Sequence, residues 1–379
     1  MKKISVVTST RADYGILKPL ISKLDSSDKY QLQLIVTGSH LSKKRGYTID
    51  AIRQDGIPIG SEIDILTDSS SEVDITRSMG LAISKFGEVI DQLDPELFFV
   101  LGDRFEIMCA AQAAMILGKP IAHIAGGDVT EGAYDDAIRH SITKMSHLHF
   151  TTNKESADRV RQLGENPEHI YNVGSLGIEM IMNTEIMDKA ELEENLNFKF
   201  NNKNFLITYH PETVGGENNN FSEFLQALEH FDNDTNFIFT YPNIDKGGDE
   251  IIKQIDQFVE KVPNAFAFQS LGQLRYYSMI SYCDVVVGNS SSGLYEVPTF
   301  KKPTVNIGDR QKGRPQASSV VQTDTDKQSI IDGISKSLSL DCNDTQNPYG
   351  DGKTVHLIMN ALNNFNNFKE LTKKSFFKL

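Results

Sequence analysis

Short apolar runs that stop abruptly at small or charged residues, each followed by a helical pattern, recur along almost the whole 379-residue chain. Leu97–Leu101 is nearly all apolar and ends at Gly102-Asp103-Arg104; residues 120–124 run into Ala125-Gly126-Gly127-Asp128. Continuous apolar runs of this length are typical of strands buried on both faces, which is the parallel arrangement. The first half reads as strands over 3–8, 30–36, 97–101, 120–124 and 149–152. They alternate with helices over 16–24, 76–93, 105–117, 135–146 and 154–163, and 9–15 is expected as a loop. The second half repeats the rhythm, with strands over 204–208, 236–240, 265–269, 285–287 and 303–307. Its helices fall at 222–231, 250–262 and 272–281, and the tail is helical over 354–368. Such β-loop-α alternation implies doubly wound parallel sheets, whose ligands sit at the carboxyl ends of the strands.

A chain of this length exceeds one ordinary core and suits two α/β domains. The expected division is a first Rossmann-like domain over 1–178 and a second over 179–357, with the join near 174–183. Residues 358–379 are expected to pack back on the first domain, and the active site to lie in the cleft between the two. The net charge of −13 argues against a nucleic-acid surface, so an anionic ligand has to be held by a local basic cluster. Cys109, Cys283 and Cys342 have neither disulfide nor metal spacing, which fits a reducing cytoplasm. The start, MKKISVVTST, reads as a first strand, and no apolar run approaches the ~18 residues that span a bilayer. Neither membrane nor metal is therefore expected as a partner.

Polar residues gather at the predicted strand ends: Arg11 and Asp13, His40, Asp103 and Arg104, then Asp128 with Glu131, Asp135 and Asp136. Charges that follow a buried strand cannot point into the core; they face a ligand or each other. Arg11–Asp13 and Asp103–Arg104 ion pairs remain open alternatives. His210 follows the 204–208 strand and suits phosphate contact or proton transfer. His123, His140, His147 and His149 lack metal spacing, and Arg139-His140 is expected to anchor its helix. The stretch 285–314 carries the anion-binding signal. A β-branched strand feeds Gly288-Asn289-Ser290-Ser291-Ser292-Gly293, then a short helix from about Leu294 that stops near Pro298. Backbone N–H groups, a helix dipole and serine hydroxyls can converge there on a phosphate. Arg310 and Arg314 supply full charges, and Glu296 can accept from ribose hydroxyls. An ordinary serine-rich N-cap is the blander alternative.

The ordered set of TSTRADYG, LGDRFE, HIAGGDVTEGAYDDAIRHSITKMSH, HPET, YPNID and GNSSSGLYEV…NIGDRQKGR resembles the UDP-N-acetylglucosamine 2-epimerases. It is most similar to the hydrolysing branch, which releases N-acetylmannosamine for sialic-acid synthesis. The resemblance spans nearly the whole chain and implies a GT-B architecture with no bound cofactor. It places the uracil at Ser270 and Leu271, the diphosphate at Ser290, Ser291, Arg11, His210 and Arg310, and the ribose at Glu296. Asn243 is also among the implied substrate contacts. A homodimer or homotetramer is what the family suggests.

The implied chemistry starts with departure of UDP, which builds positive charge at C1 and makes the C2 proton removable. Arg11, His210 and Arg310 would stabilise the leaving diphosphate. Asp103 is the first choice for acid/base work, with Glu131 and Asp135 next and Arg104 as orienting group. Many relatives carry a catalytic glutamate at the position of Ala125. Glu131 then takes its place, or the sugar differs, as in the cousin acting on UDP-2,4-diacetamido-trideoxyglucose. A non-hydrolysing epimerase, a GT-B glycosyltransferase and a non-catalytic UDP-sugar sensor are the other readings.

Overall fold

The structure, a computed structural model, describes residues 1–66, 71–130, 134–211, 221–231, 234–242 and 247–379, with Arg45 described by its backbone alone. The chain divides into two compact units, Met1–Met180 with Gly352–Leu379, and Ile181–Asp351.

The first unit holds a seven-stranded sheet. In chain order its strands are β1 (Lys2–Thr8), β2 (Tyr30–Thr37), β3 (Ile59–Ile63), β4 (Leu97–Leu101), β5 (Ile121–Ile124), β6 (Leu148–Thr151) and β7 (Ile170–Asn172). They lie in the order β3-β2-β1-β4-β5-β6-β7, all parallel. The order reverses between β1 and β4, so the chain ends of these two strands flank a topological switch point. Helices cover both faces: Leu17, Leu20, Ile21 and Leu24 seal one, Phe86, Ile90, Ala110 and Ala114 the other. The tail returns here, with Ile358, Leu362 and Phe368 in the first of these cores.

The second unit repeats the plan with six parallel strands: β8 (Lys203–Thr208), β9 (Thr235–Thr240), β10 (Ala265–Phe268), β11 (Val285–Gly288), β12 (Thr304–Ile307) and β13 (Val320–Thr323). Their order, β10-β9-β8-β11-β12-β13, reverses between β8 and β11. Its core is rich in phenylalanine, with Phe205, Phe224, Phe237 and Phe239 against Val285 and Ile334. The α/β class, with two Rossmann-like parallel sheets, matches the reading from the apolar runs.

The expected loop over 9–15 is mostly helix. Arg11–Asp25 starts early because Thr10 and Asp13 form a capping box: Thr10 Oγ1 accepts from Asp13 N, and the Asp13 carboxylate accepts from Thr10 N. The expected helix after the serine loop shrinks to one turn, Ser292–Tyr295. The chain then tightens into a 3-10 turn, Val297–Phe300, with Pro298 near its start. So short a helix has little dipole to offer an anion. Among the described residues no helix is long and apolar enough to cross a membrane.

Candidate active site

In the first unit, the ends of β1 and β4 carry opposite charges. Asp13 points inward instead of pairing with Arg11. Its carboxylate accepts from Thr8 Oγ1 at 2.6 Å, Ser9 N at 2.9 Å and Thr10 N at 2.9 Å. Burial alone would raise its pKa, but the His40 contact and these hydrogen bonds outweigh that and hold it below the usual carboxylate range. His40 is fully buried, with Nε2 3.0 Å from Thr8 Oγ1 and Nδ1 2.7 Å from Thr48 Oγ1. Arg11, left without a partner among the described residues, is exposed at the first position of its helix.

Asp103 and Arg104 do not pair with each other. Asp103 is bound directly by Arg139, whose side chain is only 8% exposed while Asp103 keeps 25%. Arg139 is fixed in turn by the Asp128 carbonyl at 2.9 Å, Thr130 Oγ1 at 3.0 Å and Asp136 at 3.5 Å. A buried guanidinium in so many bonds positions a carboxylate while leaving part of it open to a ligand. The expected anchoring role of Arg139 therefore extends to the candidate catalytic acid. Arg104 bonds Glu106 at 2.9 Å. Burial would lower its pKa, but the bond to Glu106 and the nearby charges of Glu106, Asp13 and Asp103 raise it.

The acidic cluster after β5 separates on inspection. Asp128 faces inward, accepting from Thr152 Oγ1 at 2.8 Å and Ser156 Oγ at 2.5 Å, and so ties its turn to the helix Lys154–Gln162. Asp136 accepts from Thr130 N at 2.9 Å and lies 3.4 Å from His140. Asp135, half-buried in the first turn of Tyr134–Met145, remains the candidate acid there. Glu131 lies outside the described residues, as does Asn243. Ala125 has φ 62°, a left-handed conformation unusual for a residue with a Cβ. His123 is buried and neutral; burial drives its pKa down to about 3, and its Nε2 donates to the Gly102 carbonyl at 2.8 Å.

In the second unit, β8 ends in Tyr209-His210 and β11 in Asn289-Ser290, on either side of the switch point. Asn289 is fully buried and joins three strand ends. Its side chain accepts from His210 N at 2.7 Å and donates to His210 O at 2.8 Å. Its own carbonyl accepts from Arg310 Nη1 at 3.2 Å and Gln311 Nε2 at 2.9 Å, beyond β12. His210, Ser290, Ser291 and Arg310 are thereby brought together. Gly288 allows this approach: a Cβ on it would lie 2.0 Å from the Thr208 carbonyl oxygen, and its φ is 141°. The amides of Ser290 and Ser291 have no partner among the described residues.

Glu296 accepts from Ser292 Oγ at 2.6 Å, and burial raises its pKa against that hydrogen bond. Ser270 and Leu271 follow β10 on the sheet edge; Ser270 is exposed and caps Gly272 N at 3.1 Å, while Leu271 is buried. Arg314 N donates to Gln311 O at 3.3 Å, just past the cluster. Asn289, Gln311 and Tyr276, which is described below, went unnoticed as site residues in the sequence. Only the position of Asn289 within the Gly/Ser loop signalled it.

Two doubly wound parallel sheets, each with its polar cluster at the switch point, place the chain among the GT-B-like α/β proteins. A family model described as UDP-N-acetylglucosamine 2-epimerase matches residues 22–363, and the chain belongs to that family of enzymes. It is 38% identical over 392 residues to the polysialic acid biosynthesis protein P7 of Escherichia coli, covering 100% of this chain and 98% of that relative. It is 36% identical to the GDP/UDP-N,N'-diacetylbacillosamine 2-epimerase (hydrolyzing) of Campylobacter jejuni, over 85% of this chain and 84% of that relative. Among solved structures, the UDP-GlcNAc 2-epimerase of Neisseria meningitidis bound to UDP-GlcNAc has a TM-score of 0.75. It is 19% identical, covers 96% of this chain and 100% of that one, and is a likeness of fold.

Proposed function

We propose that the chain is a hydrolysing 2-epimerase that converts UDP-N-acetylglucosamine to N-acetylmannosamine and UDP in sialic-acid biosynthesis. The observation that carries this reading is a division of labour between the units. His210, Ser290, Ser291 and Arg310, gathered about Asn289, form a donor-rich cluster suited to an anionic leaving group. Asp103, oriented by Arg139, is a carboxylate suited to proton transfer. The hydrolysing reaction is supported by the name of the Campylobacter relative, and the sialic-acid pathway by that of the Escherichia relative.

The C1–O bond breaks with its electron pair leaving on UDP, and the cationic and N–H donors of the second unit neutralise the charge that develops. Positive charge at C1 acidifies C2, whose proton passes to Asp103, leaving a C1=C2 double bond. A proton then returns to C2 on the opposite face, from Asp135 or Glu131, and inverts that centre. Water adds its oxygen to the cation this leaves at C1 and gives one proton to the carboxylate that supplied C2, while Asp103 sheds the original C2 proton to solvent. Ala125 has no titratable group and takes no part. The protein acts as a homodimer or homotetramer in the cytoplasm.

The diacetylbacillosamine named for the Campylobacter relative favours a second substrate reading, UDP-2,4-diacetamido-trideoxyglucose, at the same site. Measuring UDP release from each nucleotide sugar decides between them. Faster release from UDP-N-acetylglucosamine is the expected result. Release only in the presence of an acceptor sugar would mean a glycosyltransferase, and none from either sugar a non-hydrolysing epimerase or a sensor.

A further inference from the structure

Glu296 terminates a directed hydrogen-bond chain that starts on other elements of the second unit. Ser292 Oγ donates to Glu296 Oε2 at 2.6 Å, which commits the hydroxyl proton. Tyr276, on the helix Gly272–Tyr282, has its hydroxyl 2.6 Å from Ser292 Oγ. With the only serine proton already engaged, the tyrosine is the donor and the serine oxygen the acceptor. Thr208 Oγ1, at the end of β8, is near the Tyr276 hydroxyl and lies 2.6 Å from Thr240 Oγ1 at the end of β9. Burial holds the Tyr276 phenol far above its usual pKa, so it stays a donor at any working pH.

The chain fixes one oxygen of Glu296. The other, Oε1, has no partner among the described residues and is not among the buried orphan atoms. A carboxylate gripped at one oxygen and open at the other is a preset acceptor. Glutamate has three side-chain torsions to freeze, and a ligand meeting it already frozen loses less on binding.

We propose that Tyr276 and Ser292 are positioning residues that make the second unit select ribonucleoside diphosphates, by presenting Glu296 Oε1 to the ribose hydroxyls. The proposal rests on reading this unit as the nucleotide site. Removing the tyrosine hydroxyl frees Ser292 to rotate toward other acceptors, and Glu296 then loses its fixed orientation. The uracil and phosphate contacts are untouched, so the loss is confined to the sugar.

The test is calorimetric titration of the full chain with UDP and with 2′,3′-dideoxy-UDP. The wild type is expected to bind UDP about tenfold or more tightly than the dideoxy analogue, the effect of one hydrogen bond to a charged group. Tyr276→Phe and Ser292→Ala should reduce that ratio severalfold while affinity for the dideoxy analogue holds. Ser292→Thr, which keeps the hydroxyl, should restore it. An unchanged ratio in both variants overturns the proposal. So does an equal loss for both ligands, which a merely structural role would give. A wild type that binds the two nucleotides equally overturns the role of Glu296, and one that binds neither overturns the nucleotide reading itself along with the proposal.

Discussion

The side-chain amide of Asn289 brackets the peptide group at His210, accepting from its N–H at 2.7 Å and donating to its carbonyl at 2.8 Å. An asparagine at the end of β11 thus holds the end of β8 much as a neighbouring strand would. Its own carbonyl holds the side chains of Arg310 and Gln311. The cluster of His210, Ser290, Ser291 and Arg310 is therefore built around one buried amide. Asn289→Ala should remove both hydrogen bonds to the His210 backbone, costing about 0.5–1.5 kcal/mol each. Thermal unfolding and UDP titration of this variant should both show the loss.

Arg310→Ala removes a full charge from the same cluster without disturbing the Asn289–His210 bracket. UDP binding should weaken by roughly 1.5–3 kcal/mol, with little change in melting temperature. Unchanged UDP affinity would move the diphosphate elsewhere.

Asp103→Asn keeps the shape of the side chain but removes the charge that Arg139 holds. Turnover should fall by about 10²-fold or more, the usual size of a general acid/base contribution, while UDP affinity persists. Arg139→Lys should lower kcat as well, because a lysine lacks the planar fork that also holds the Asp128 carbonyl and Thr130. Full activity in Asp103→Asn would shift the proton transfer to Asp135 or Glu131.

The first unit is expected to be acid-sensitive. Burial would raise the pKa of Glu165, but His149, Lys144 and Lys374 bond it and hold it at about 2. A depressed carboxylate pKa stabilises the fold above its unfolded value near 4.5, and that stabilisation is lost as pH falls toward 2. His123 and His149, buried with lowered pKa, act in the same direction, because the unfolded chain takes up their protons first. Glu165→Gln should cost roughly 2–3 kcal/mol at neutral pH and flatten the loss between pH 4.5 and 2. Chemical denaturation across that range measures it. Lys374 also bonds the carbonyls of Lys144 and Ser146, so removing the tail should cost stability in the same unit.

Central strands were legible because burial on both faces demands an uninterrupted apolar run, and Leu97–Leu101 or Val285–Gly288 has no other use. Three of the four edge strands were not; β10, Ala265–Phe268, is the exception. Ile59–Ile63 carries Gly60 and Glu62, Ile170–Asn172 has three residues, and Val320–Thr323 sits in a polar segment. Each is half covered and needs no such run. The strand-end residues of the candidate site were visible for the same reason as the central strands: charges next to a buried run must be used. Their partners were not visible. Arg139 reaches Asp103 across 36 positions, and Asn289 reaches His210 across 79. No local pattern encodes contacts at such separation. The helix start at Arg11 was legible in principle, since Thr10-x-x-Asp13 is a capping pattern.

Departure of UDP before inversion at C2 is the step on which the proposed reaction depends. Incubating the protein with UDP-N-acetylglucosamine in deuterated water and following the products by NMR tests it directly. The expected products are UDP and free N-acetylmannosamine with deuterium at C2. An epimerised sugar still joined to UDP, or a free product that keeps its original hydrogen at C2, would contradict it.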